Sequence, residues 1–224
     1  MLSCAILAGN PWEAVVALVI LAGALSVIIL QKLELNIRKQ ELKETRDLFS
    51  QTRFEVTFFN LVSLHHERIR ALEIYQNIGP NIQGRSCFNY IYYKSFVLLY
   101  GSGEDVYAHL PPLERAQTYY HQLHSIYESD LSYYFRNLYH ILHFVNSSRI
   151  HPKWPYIQLL RAQLSSPELL LLFYHALSPH DNNRLKPFIE KYGLLANMPV
   201  SSLLSAKHKE LYAESAFQDP LSQF

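Results

Sequence analysis

A run of uncharged residues near the N-terminus constrains this chain more than any other feature. From Ala14 to Leu30 the sequence reads AVVALVILAGALSVIIL, with Ser26 as its one polar side chain. A helix from Trp12 to Leu30 spans roughly 28 Å at 1.5 Å per residue, close to a bilayer core of about 30 Å. A core helix of a soluble domain would be expected to show a polar stripe, and this segment has none. A cleaved secretory signal would need a basic region before the run and a small-x-small site after it. Residues 1–13 contain no Lys or Arg, and Gln31-Lys32-Leu33 follows the run. The segment is expected to be a single transmembrane anchor, with the lipid bilayer as its partner.

Orientation follows from the flanks. Lys32, Arg38, Lys39, Lys43 and Arg46 all lie just after the apolar run, which places that side in the cytoplasm by the positive-inside rule. Residues 1–11 are then a short external N-terminus, and Cys4 and Cys87 fall on opposite sides of the membrane. With two cysteines so divided, no disulfide forms within the chain, as befits a reduced cytoplasmic domain. Net charge is +1, which gives no general case for nucleic-acid binding.

Beyond the anchor, residues 31–73 lack Pro and Gly and are rich in Leu, Glu, Lys and Arg, so the helix is expected to continue as a stalk over 31–53. Leu35, Leu42, Phe49 and Val56 recur every seven residues without a second apolar heptad position at the start. A sustained coiled coil needs both, so the preferred reading is a helix packing one stripe on its own domain. Residues 54–200 read as a helical effector domain. Phe54, Phe58, Leu61, Val62, His65, Ile69 and Leu72 form a core-facing helical pattern. Residues 77–85 read as a loop, and helices are expected over 87–100, 112–127, 131–145 and 154–164. Ser166-Pro167-Glu168 reads as the N-cap of a further helix to about Leu177, and another covers 185–192. Residues 201–224 are left as a tail with a short helix. The fold class is all-α: a transmembrane helix continuing into a cytoplasmic helical bundle.

Three groups of residues are candidates for chemistry. Eleven histidines include the pairs His121/His124 and His140/His143 at helical i,i+3 spacing. No cysteine lies near either pair and no His-Glu-x-x-His occurs, so they read as packing or hydrogen-bonding residues, with no metal and no cofactor implied. Arg136 and Asn137 with His140 and His143 form the second group, since 136, 140 and 143 share a helix face. This segment resembles HEPN-type ribonucleases in spacing alone, where such a pair would orient a 2′-hydroxyl and transfer a proton. The alternative is an Arg and His pair holding the bundle together. The third is the aromatic load, 16 Tyr and 12 Phe, which reads as core rather than as a base-stacking surface. No phosphate-binding loop, dinucleotide fingerprint, nucleophile elbow or paired-carboxylate signature appears.

From about Phe58 the chain resembles the phage abortive infection family of bacterial membrane proteins. The resemblance rests on Phe58-Phe59-Asn60-Leu61, His65-His66, Gly84-Arg85 and Phe88, and becomes specific at Tyr134-Phe135-Arg136-Asn137-Leu138-Tyr139-His140-Ile141-Leu142. It continues at Leu160-Arg161-Ala162-Gln163-Leu164-Ser165, Glu168-Leu169, Phe173-Tyr174 and Ile189-Glu190-Lys191-Tyr192-Gly193-Leu194-Leu195. Phe135, Arg136, Asn137, Tyr139, His140, Arg161 and Gln163 carry most of its specificity. It implies an antiviral defence effector, a toxin at the inner membrane that halts the infected host. It also implies regulation by a partner such as a retron reverse transcriptase with its RNA–DNA product. The usual family layout has two membrane helices and only one is readable here. The resemblance brings no catalytic residues. The expected activity is therefore non-enzymatic membrane damage by copies associating as a homo-oligomer through the anchor. A membrane-tethered, HEPN-like ribonuclease using Arg136 and His143 is the alternative.

Overall fold

A computed structural model describes residues 11–101 and 106–219 of the chain. The expected external N-terminus, with Cys4, and the Ser102-Gly103 helix stop lie outside the described residues. The protein is all-α, 75% helical with 2% strand. It divides into two compact units, Met1–Arg53 and Phe54–Phe224.

The first unit is helix α1, which runs Pro11–Arg70 and so extends into the second. Its apolar window has a mean hydropathy of 2.7 and none of it is buried, which makes it a candidate membrane span. The Ser26 hydroxyl donates to the Ala22 carbonyl at 2.8 Å, so the one polar group of the run is satisfied inside the helix. Leu35, Leu42, Phe49 and Val56 are 55–66% exposed. The α1 residues that enter the core of the second unit are Phe54, Phe58, His65 and Ile69, on a different helix face from that stripe.

In the second unit the loop expected over 77–85 contains a strand: β1 (Glu73–Ile74) pairs antiparallel with β2 (Ile82–Gln83), because two backbone pairs close the chain into a short hairpin. Gly84 follows at φ +61, a conformation that side-chain-bearing residues rarely adopt, and its N–H donates to the Leu72 carbonyl at 2.8 Å. The aromatic helix expected over 87–100 is α2 (Ser86–Asn89), a π-helical stretch (Tyr90–Phe96) and α3 (Val97–Gly101). Helices α4 (Pro112–Ile126), α5 (Glu128–Ser147) and α6 (Trp154–Ala162) follow. Helix α7 spans Ser166–His175 and is capped by Ser165 rather than Ser166. The Ser165 N–H donates to Glu168 Oε2 at 2.8 Å and its hydroxyl contacts the same oxygen. Helix α8 (Lys186–Tyr192) ends at Gly193 in the left-handed conformation.

The core forms around α5 and α7. Leu131, Tyr134, Phe135, Leu138, Ile141, Leu142 and Val145 of α5 recur at i+3 and i+4 and are all buried. Every residue of α7 from Glu168 to His175 is buried, so this helix is enclosed on all sides. The segment expected as a tail is part of this core. Three 3₁₀ turns at Val200–Ser202, Ala206–Leu211 and Glu214–Phe217 bury His208, Tyr212 and Ala216. The Tyr212 hydroxyl donates to the Phe173 carbonyl at 2.8 Å.

Candidate functional site

Polar side chains gather at two places in the second unit, and α5 serves both. Glu128, Ser132, Arg136 and His140 recur every fourth residue, so they form one row along that helix. This row, with Phe135 and Tyr139, is one wall of a cleft of about 270 Å³. The facing wall comes from the end of α7 and the turn after it: His175, His180, Asp181 and Arg184, with His124 of α4 closing one end.

The sequence Pro179-His180-Asp181-Asn182-Asn183 makes that wall. Asn182 and Asn183 take φ of 52° and 57°, the left-handed region that Asn tolerates better than most residues. The Asp181 carboxylate accepts the Leu185 N–H at 2.7 Å and fixes the turn against the start of α8. His180 then stacks on His124, ring centroids 3.9 Å apart, and pairs with His121, Nε2 to Nδ1 at 2.8 Å. Behind them Phe135 stacks on His175 at 3.9 Å, and the Tyr120 hydroxyl lies 3.0 Å from His175 Nδ1.

Burial sets the charge state of these rings. His175 is pushed down to about 3, first by burial and then by His124 and His180. Burial, then neighbouring histidines, also lowers His124 and His180, against an opposing pull from Glu128. Burial raises the Asp181 carboxyl. Two guanidiniums, those of Arg136 and Arg184, also line the cleft. Neither guanidinium makes an ion pair among the described residues. Arg136 lies 5.6 Å over the Tyr133 ring, and Arg184 lies 6.0 Å over the Tyr139 ring and draws the Asp181 carboxyl down against its burial. Glu128 stands at the opposite end, two turns along α5, about 12 Å from Arg136 in helix rise.

Ser132 lies 3.2 Å from His124 Nε2. It sits inside a helix whose backbone amides are already engaged, so no oxyanion hole forms beside it. Among the described residues no group of three or more His, Cys, Asp or Glu side chains is placed to hold a metal ion.

The second polar cluster is internal. The Glu168 side chain is fully buried and accepts the Tyr134 hydroxyl at 3.0 Å, with Arg85 Nε at 3.5 Å. His65 lies beside Tyr134, ring centroids 4.8 Å apart, and its Nδ1 is 3.2 Å from Asn137 Nδ2. Burial, then His66 and Arg85, pushes His65 down to about 4. Blocks of sequence far apart in the chain thus meet around one carboxylate.

Of the residues singled out from the sequence, Arg136, Tyr139 and His140 line the cleft and Phe135 forms part of its wall. Asn137 and His143 line a separate depression with Leu61 and Phe144, and of this group only His140 lines both. Arg136 and His143 are therefore not brought to one cleft, although they lie seven residues apart on one helix. Arg161 is buried, 5.2 Å over the Trp154 ring and 3.5 Å from Asp219. Gln163 ends α6, its N–H on the Leu160 carbonyl. Sequence reasoning missed Glu128, Ser132, His175, His180, Asp181 and Arg184. The four-residue recurrence through Glu128 and Ser132 could have revealed the first two, whereas the others reach the cleft through a turn.

The class defined so far is an all-α protein with a candidate membrane helix and a polar cleft in its folded unit. A family model described as "Putative phage abortive infection protein" matches residues 126–203. No curated protein and no solved structure matches the chain. The match covers about a third of the chain and makes that stretch similar to the abortive infection family. The matched stretch holds every lining residue of the cleft except His124.

Proposed function

We propose that this protein is a membrane-anchored toxin of phage defence, which stops the infected cell by disturbing the inner membrane. The observation that carries the reading is the abortive-infection match on the same chain as an uncharged, fully exposed apolar helix. The basic residues that follow the span favour a cytoplasmic folded unit, where infection is sensed. A partner holds the effector inactive until then; a reverse transcriptase with its RNA–DNA product is the one the family resemblance implies.

Copies associate through the stalk. With exposed Leu35, Leu42 and Phe49 at the core position of a heptad, Glu34 and Glu41 flank one side, and Lys39 and Arg46 the other. In a parallel pair Glu41 faces Arg46 of the second copy, whereas Glu34 is held by Arg38 of its own helix at 2.6 Å. A shared membrane imposes the parallel orientation. Arg38, Thr45 and Thr52 occupy the other core position, so the seam is weak and depends on the high local concentration that anchoring gives. A membrane-potential dye recorded during triggered expression tests the mechanism: potential should collapse as growth stops. Growth arrest with the potential intact would overturn it.

A second reading, a membrane-tethered ribonuclease, has one observation in its favour: Arg136 and His140 line the same cleft. It predicts cleaved cellular RNA before any loss of potential.

A further inference from the structure

We infer that the cleft between α5 and the 179–184 turn binds a small phosphorylated ligand of mononucleotide size, its phosphate on Arg136 and Arg184 and its flat polar part toward Glu128 and the His124–His180 stack. The inference goes beyond the toxic mechanism and holds whichever mechanism is correct. It rests on the geometry of two ends. At one end, two guanidiniums face a common space with no ion-pair partner among the described residues, and His140 lies beside them. Guanidinium groups match phosphate oxygens with paired donors, so two in one recess suit a phosphate better than a single carboxylate. The nearer carboxylate, Asp181, attracts Arg184 but makes no ion pair with it and accepts the Leu185 N–H.

At the other end the wall is the exposed ring of His180, backed by the buried His124. His124 and His180 are stacked with their planes 15° apart, and Phe135 lies on the cleft lining nearby. Glu128 is an acceptor on that rim. A planar ring bearing N–H donors, as nucleobases have, can lie against such a wall and donate to the carboxylate. The distance between the ends, about 12 Å along α5, exceeds what free phosphate can bridge. A volume of about 270 Å³ admits one compact ligand and no large cofactor. Bound there, the ligand would tie α5 to the 179–184 turn, so the cleft is placed to report a metabolite to the folded unit.

The test uses the full chain in lipid nanodiscs, titrated with inorganic phosphate, with each of the four 5′-mononucleotides, and with a short single-stranded RNA. At least one mononucleotide should bind saturably and more tightly than phosphate. Arg136→Ala and Arg184→Ala should each weaken it about tenfold or more, with partial recovery in the Lys variants, which keep the charge but lose the paired donors. Both arginines are exposed, so these variants should fold, and His143→Ala in the neighbouring depression should bind as the parent does. Absence of mononucleotide binding at millimolar concentration would overturn the proposal. So would unchanged affinity in both arginine variants, binding of RNA alone, or phosphate binding as tightly as every mononucleotide.

Discussion

The Tyr134 hydroxyl donates to the Glu168 carboxylate at 3.0 Å, joining the middle of α5 to the first turn of α7 inside the core. The carboxylate is fully enclosed and takes its other donors from Ser165 and Arg85. A buried charge is tolerated only while those donors surround it.

Removing one donor should therefore cost more than an average hydrogen bond. Tyr134→Phe should lower stability by about 1.5–3 kcal/mol, and Glu168→Ala, which leaves the buried Tyr134 hydroxyl and the Ser165 cap without their acceptor, by at least as much. Denaturant titration of the folded unit's helical signal measures both. A Tyr134→Phe variant as stable as the parent would show that this contact does not hold α7 in place.

Acid should destabilise the fold. His175, pushed down to about 3, and His65, pushed down to about 4, are both held well below the ordinary value by burial. The unfolded chain takes up protons near pH 6.5, and the folded chain does not until far lower. Their contribution is thus fully present above about pH 6.5 and is lost as pH falls toward 4 and then 3, by up to about 1.4 kcal/mol per pH unit for each group. Unfolding midpoints should drop between about pH 7.5 and pH 5, and His175→Gln should flatten the profile. A midpoint independent of pH would contradict the burial of these rings.

The anchor tolerates no charge at its centre. Leu21→Arg should cost about 2.5–3.5 kcal/mol of insertion and reduce the membrane-bound fraction. Defence and toxicity should vanish with it. A soluble variant that accumulates and still kills would move the activity to the folded unit, with Arg136 the first residue to test. A fluorescent protein fused after Phe224 should glow, and alkaline phosphatase there should be inactive; the reverse would invert the orientation.

The stalk seam predicts a cross-linking pattern. In a Cys4→Ser background, Leu42→Cys should form a disulfide-linked dimer in oxidised membranes, whereas Glu44→Cys, on the outer face, should not. Leu42→Glu should reduce association and toxicity together. Equal cross-linking at both positions would mean random encounter rather than a seam.

The apolar helix was legible because seventeen uncharged residues from Ala14 to Leu30 say the same thing at every position, and no partner is needed to read them. The helices were legible because apolar residues recur with the helical period, as in α5. The N-cap of α7 was misplaced by one residue because Ser165 and Ser166 both look like caps, and only the reciprocal contact with Glu168 separates them. The tail was misread for a related reason. His208, Tyr212 and Ala216 show no regular period, and their burial is created by α7 and α8 packing over 3₁₀ turns.

The sequence by itself determined an apolar helix, a basic flank and an all-α domain, since each follows from local composition and period. The tertiary structure decided which polar residues share a space. Arg136 and His143 looked like partners on one helix, yet neighbouring elements assign them to different recesses. His180 and Arg184 meet Arg136 only because two left-handed asparagines reverse the chain after α7. Side chains brought together by a turn carry no spacing that a linear reading can detect, because the turn sets their distance and the sequence interval does not.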